Sequence, residues 1–136
     1  MAQLLALDYG AKRTGIAYTD EGQMIASGLK TLATKELFEF LTTYLQKNKV
    51  EGLVIGYPTH LDGRDTDATP LVRALIEKIK KTFPNLKIML ENEHFTSKMA
   101  LQALTFSGKK IKQHNKALID QVSATIILQA YLDKKK

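Results

Sequence analysis

The run Leu4-Leu5-Ala6-Leu7 has no polar side chain and stops at Asp8. So short and continuous an apolar segment reads as a strand buried on both faces; a strand with one wet face would alternate. A sheet built on it needs cover on both sides. Asp8 then stands where the buried strand ends, and a charge there is costly unless it is paired, hydrogen-bonded or bound to a metal. Gly10, Arg13 and Gly15 follow, then Ile16-Ala17-Tyr18-Thr19, which reads as a second strand returning along the first. A turn aspartate capping loose amides near glycine is the plainer reading of Asp8 taken alone.

The rest of the pattern supplies the cover. Strands are predicted at 3–9, 14–20 and 23–29, with Asp20-Glu21-Gly22 turning between the last two. Thr34 is placed to cap a helix whose stripe is Leu37, Phe38, Leu41, Tyr44 and Leu45. Val50 to Ile55 is the next buried strand, and a polar loop follows it through 59–65. A second helix carries Leu71, Val72, Leu75, Ile76 and Ile79, with Pro70 tolerated in its first turn. Leu86 to Leu90 alternates as a fifth strand and runs into Glu91-Asn92-Glu93-His94. Thr96 caps a third helix ended by Gly108, and the last helix runs from about Asn115 to Leu132. The expected fold is α/β. A five-stranded mixed sheet, three antiparallel strands and then parallel ones, carries helices on both faces, in a single domain spanning 1–136.

Composition narrows the chemistry. With no cysteine, disulfides, thiol catalysis and thiolate metal sites are excluded, and a reducing cytoplasm fits. No apolar run is long enough to span a bilayer, and no membrane partner is expected. The formal charge of +6 favours an anionic partner. Lys109, Lys110 and Lys112 form an internal basic stretch, and Lys134-Lys135-Lys136 reads as a solvating tail. The only arginines are Arg13, Arg64 and Arg73, in or beside glycine-bearing segments, where a planar fork suits phosphate.

The first and last predicted strands end in Asp8 and Glu93, and Asp120 lies early in the last helix. Ligands bind at such strand ends in open α/β sheets. Asp120 shares a helical face with Ala124, Ile127 and Tyr131, which suggests packing on the protein. The alternative is a first-turn aspartate favoured by the helix dipole and paired with Lys116. If the three carboxylates converge, each pair about 4 Å apart repels by roughly 4 kcal/mol at an effective dielectric of 20. Hard carboxylate oxygens suit Mg²⁺ or Mn²⁺. Three carboxylates with one phosphodiester carry a charge of about −4, which two such ions neutralise, as in two-metal hydrolysis.

Asp8-Tyr9-Gly10-Ala11-Lys12-Arg13-Thr14-Gly15-Ile16-Ala17 resembles the opening D-x-G-x-x-R-x-G-x-A motif of the YqgF family of Holliday-junction-resolvase-like proteins, also described as pre-16S rRNA nucleases. Gly56-Tyr57-Pro58, Asp62-Gly63 and Val72-Arg73 resemble its middle segments. Glu91-Asn92-Glu93-His94-Phe95-Thr96-Ser97 resembles its D-E-R-x-T-[ST] segment, and Asp120-Gln121-Val122-Ser123-Ala124 with Ile127 to Leu132 resembles its closing helix. The resemblance implies a ribonuclease-H-like fold and an acidic site of Asp8, Glu93 and Asp120 holding Mg²⁺ or Mn²⁺. It also implies endonucleolytic processing of the 5′ end of precursor 16S rRNA in the cytoplasm. Arg13, Arg73, Lys109, Lys110, Lys112 and His94 are the expected substrate-binding residues, RNA being favoured over DNA. A monomer or weak homodimer is expected, because cutting both strands of branched DNA usually needs a symmetric dimer and no dimer stripe is visible.

One segment departs from the pattern: Asn92-Glu93-His94 stands where the family has Asp-Glu-Arg. Strand alternation would point Asn92 and His94 away from the side that Glu93 faces, predicting a weak nuclease with an intact metal site. The competing readings are a four-way DNA junction resolvase and a non-catalytic nucleic-acid binding module. A sugar-kinase-like or actin-like ATPase also opens with D-x-G, but it needs two such domains to enclose its nucleotide.

Overall fold

A computed structural model describes residues 2–57, 69–92 and 116–135 of the chain. Its strands are β1 (Gln3–Tyr9), β2 (Arg13–Thr19), β3 (Ala26–Ala33), β4 (Val50–Tyr57) and β5 (Lys87–Asn92). Its helices are α1 (Leu37–Lys47), α2 (Thr69–Thr82) and, last in the chain, α3 (Lys116–Lys135). One sheet holds all five strands in the order β3-β2-β1-β4-β5. β1 pairs antiparallel with β2, and β2 with β3, while β4 and β5 run parallel to β1. This is the mixed sheet expected from the sequence. The helix predicted between Thr96 and Gly108 and the loop at 59–65 lie outside the described residues.

The two-sided burial of β1 sorts its side chains by parity. Leu5 and Leu7 enter a cluster with Leu37 and Leu41 of α1 and Val72, Leu75, Ile76 and Ile79 of α2. Leu4 and Ala6 pack on the other face against Ala124, Ile127, Leu128 and Leu132 of α3. Each of these leucines is fully or almost fully buried, a contribution of about 1.5–3 kcal/mol apiece. The predicted packing face of the last helix is therefore its packing face, with Tyr131 partly buried at its edge.

Two local expectations are corrected. The third strand begins at Ala26, not residue 23, because the Asp20 carboxylate holds the preceding residues as a loop. Its Oδ1 accepts from the amides of Met24 (2.9 Å) and Ile25 (3.0 Å), and Gln23 takes a positive φ of 55°. Those two donors hold the Asp20 carboxyl below the ordinary aspartate value of 3.8. A depressed folded-state value means that the loop is fully stabilised above about pH 4 and loses support as pH falls through that lowered value. Amide exchange at Met24 and Ile25 is thus expected to speed up relative to the core strands on strong acidification. In Asp20→Ala it should be fast already at neutral pH; protection unchanged in that variant would remove the carboxylate from the account.

Thr34 does not cap α1. It opens a single 3₁₀ turn, Thr34–Glu36, and no side chain caps the helix that follows. Its hydroxyl instead donates to the carbonyl of Gly10 (2.6 Å) and receives the hydroxyl of Thr14 (2.9 Å). The Thr34 amide meets the carbonyl of Lys12 at 3.0 Å. The turn between β1 and β2 is thereby tied to the corner after β3.

Candidate active site

Asp8 lies at the C-terminal end of β1 and pairs across the antiparallel ladder with Gly15 of β2. By parity it belongs to the face that carries Leu4 and Ala6, the face covered by α3. Gly15 shares this face with Ala17. A Cβ built on Gly15 would overlap the main-chain carbonyl of Asp120 and press on the amide of Gln121. The second turn of α3 therefore rests directly on β2 at the one residue with no side chain to hold it off. Asp8 is beside that contact in the sheet, and Asp120 is above it. These are the two predicted acids among the described residues, and the fold brings both to Gly15.

Arg13 is two residues before Gly15 and so on the same face. Its Nε donates to Oδ2 of Asp120 at 2.8 Å, with the two side chains 42% and 22% exposed. So open an ion pair is worth about 1 kcal/mol or less; its main effect is to aim the carboxylate. Among the described side chains Asp120 is paired with Arg13; that of Lys116, considered from the sequence, lies outside what is described. Arg13, expected to bind substrate, is engaged with a candidate ligand.

Arg73 reaches the same end of the sheet from the opposite side. Its Nε donates to the Tyr57 hydroxyl at 2.7 Å, and its guanidinium lies 6.0 Å from that ring's centroid. Tyr57 packs with the α1/α2 cluster, so Arg13 and Arg73 flank the C-terminal edge on opposite faces. Glu93, His94, Lys109, Lys110 and Lys112 lie outside the described residues.

Sequence reasoning passed over one buried carboxylate. Glu91 of β5 is 4% exposed and accepts from Nζ of Lys134 at 2.6 Å. Lys134 is therefore no mere solvating tail: it clasps the end of α3 to the edge strand. The signal was Glu91 itself, a charge two residues after Met89 in an alternating strand. Asn92 is exposed and pairs with Tyr57 of β4.

Chemically, the site offers hard oxygen donors at a strand end, with a guanidinium beside them. Asp8 and Asp120 fit Mg²⁺ or Mn²⁺ by donor type. No cluster of three or more His, Cys, Asp or Glu occurs among the described residues.

A family model described as RuvX, Holliday junction resolvase, matches residues 2–134. A protein of Flavobacterium psychrophilum named "Putative pre-16S rRNA nuclease" is 49% identical over 136 residues, covering 99% of both chains. Namesakes from Flavobacterium johnsoniae and Phocaeicola vulgatus are 46% and 41% identical, each over 137 residues, covering 100% of this chain and 99% of theirs.

Proposed function

The chain belongs to the RuvX family of Holliday junction resolvases, and from that premise we propose that it is a divalent-metal-dependent endonuclease of structured RNA, processing the 5′ end of precursor 16S rRNA. The observation that carries this reading is the convergence of Asp8 and Asp120 on Gly15. A nuclease role accords with the names of the relatives, and those names favour RNA over the junction DNA of the family's description. The protein works in the cytoplasm as a monomer or weak homodimer. No helix among the described residues is long and apolar enough to cross a membrane.

In this reading Asp8, Asp120 and Glu93 hold Mg²⁺ or Mn²⁺. The bound ions supply an activated water and charge stabilisation at the leaving oxygen. Arg13 orients Asp120 and offsets part of the local negative charge. Arg73, braced by the Tyr57 hydroxyl, is set to contact a phosphate on the other face of the edge. His94 and the lysines at 109, 110 and 112 extend that contact along the backbone.

The deciding experiment incubates purified protein with a precursor 16S 5′ leader RNA and with four-way DNA, each with Mn²⁺, with Mg²⁺ and with EDTA. Metal-dependent cutting of the leader alone is expected. Cutting of the DNA alone would make the protein a resolvase, and no cutting of either would leave a binding module. Binding should also fall with salt. If about five phosphates are neutralised on single-stranded RNA, log affinity should drop against log salt with a slope near −3.5. A flat response would count against nucleic acid as the partner.

A further inference from the structure

Two cations at the same edge of the sheet have no role in the site so far. Lys12 lies in the turn between β1 and β2, and Lys35 in the 3₁₀ turn after β3; both are exposed. Among the described residues neither ammonium group has a hydrogen-bond or ion-pair partner. Several other lysines are engaged: Lys30 sits over Phe40, Lys78 over Phe38, and Lys134 on Glu91.

The backbone beneath Lys12 and Lys35 is fixed as one piece. The Thr34 amide donates to the Lys12 carbonyl (3.0 Å), and the Thr34 hydroxyl donates to the Gly10 carbonyl (2.6 Å). The Gly10 amide closes the turn on the Arg13 carbonyl at 2.9 Å, and a Cβ on Gly10 would lie 2.6 Å from that same oxygen. Arg13 pairs with Ala33, so Lys12 and Lys35 flank one rung of the ladder. Neighbouring strands are about 4.8 Å apart, so this corner stands roughly 10 Å from the β1 strand end that bears Asp8. Glu36, also exposed, is the adjoining acid and pairs with neither lysine. Two unengaged ammonium groups carried on one fixed stretch of backbone suit a polyanion running past the carboxylates.

We propose that Lys12 and Lys35 form a ledge that seats the sugar–phosphate backbone of RNA on the β3 side of the scissile bond. This rests on the nuclease reading and deepens it by giving the substrate a direction across the edge of the sheet. The ledge contacts phosphate, so it sets position and not sequence.

The test compares wild-type protein, the double variant Lys12→Gln/Lys35→Gln, and a control pair, Lys47→Gln/Lys49→Gln. The control residues are exposed at the opposite edge, where the Lys49 carbonyl meets the first residue of β1. Binding of a fluorescein-labelled single-stranded RNA is followed by anisotropy in EDTA over a salt series, and circular dichroism melts check that all three proteins fold alike. The ledge variant should bind more weakly, with a log–log salt slope shallower by about 1.4, two phosphates at about 0.7 each. The control pair should match wild type. An unchanged slope in the ledge variant, or an equal loss in the control pair, overturns the ledge and leaves the nuclease reading standing. Salt-independent binding by wild type would overturn both.

Discussion

Asp8→Asn is expected to abolish cleavage while the protein melts near the wild-type temperature. The substitution keeps the shape of the side chain and removes its charge. Asp8 is only half-buried at the end of β1, so the amide fits without a cavity. In the proposed mechanism the loss falls on metal binding. Removing one anionic ligand there would forfeit several kcal/mol of charge stabilisation at the reacting phosphate, and each 1.36 kcal/mol is a factor of ten in rate. A fall of about 10³-fold or more in single-turnover rate on leader RNA at saturating Mn²⁺ is therefore expected. A variant within tenfold of wild type would remove Asp8 from the chemistry. A variant that unfolds would make it a structural aspartate.

Gly15→Ala should be the most damaging small substitution on the α3 face. The obstacle is the main chain of α3, which cannot rotate away as a side chain can. Either β2 bows or the helix lifts, and lifting it unseats Ala124, Ile127, Leu128 and Leu132, all 2% exposed or less. Overpacking of a core typically costs about 1–3 kcal/mol, and a backbone clash belongs at the upper end. For a chain of this size that lowers the melting temperature by roughly 10 °C. Gly28 is the internal comparison: the nearest atoms a Cβ there meets belong to the Gln121 side chain, which, unlike main chain, can change rotamer. Gly28→Ala should cost less than about 1 kcal/mol. Equal melting temperatures for the two variants would mean that α3 does not bear on Gly15 as described.

The contrast between these glycines shows what was legible in the sequence. The apolar run before Asp8, the buried strand ending at Gly56 and the packing face of the last helix all follow from local pattern, and so did the mixed sheet. The spacing of Asp8, Arg13 and Gly15 marked a motif. It did not reveal that Gly15 is a glycine because a helix more than a hundred residues later lies on it. Thr34 looked like a helix cap because capping is what local sequence makes of threonine; its hydroxyl went to Gly10 because the hairpin is closer than the helix end. The early start assigned to β3 failed for a related reason, since the Asp20 carboxylate serves backbone amides that simple alternation leaves out. Lys134 read as tail because it opens a run of three lysines; its partner, Glu91, lies across the sheet. Contacts between distant segments carried the differences at Gly15, Thr34 and Lys134, whereas the Asp20 loop is a local one. The roles expected of Glu93, His94, Lys109, Lys110 and Lys112 concern positions outside the described residues.

Arg13 and Asp120 stand 107 residues apart in the chain. Along the chain, the acid on β1 is made well before its counterpart on α3. A contact so distant in sequence forms late, because a long loop must close before it is rewarded. During synthesis the growing polypeptide thus carries half of the constellation, without the other carboxylate. In the proposed reading, a chain that has not yet gained α3 lacks an assembled acidic site. The same dependence works in reverse. Any event that frees the last helix, such as warming or a proteolytic nick ahead of it, parts the two acids in one step.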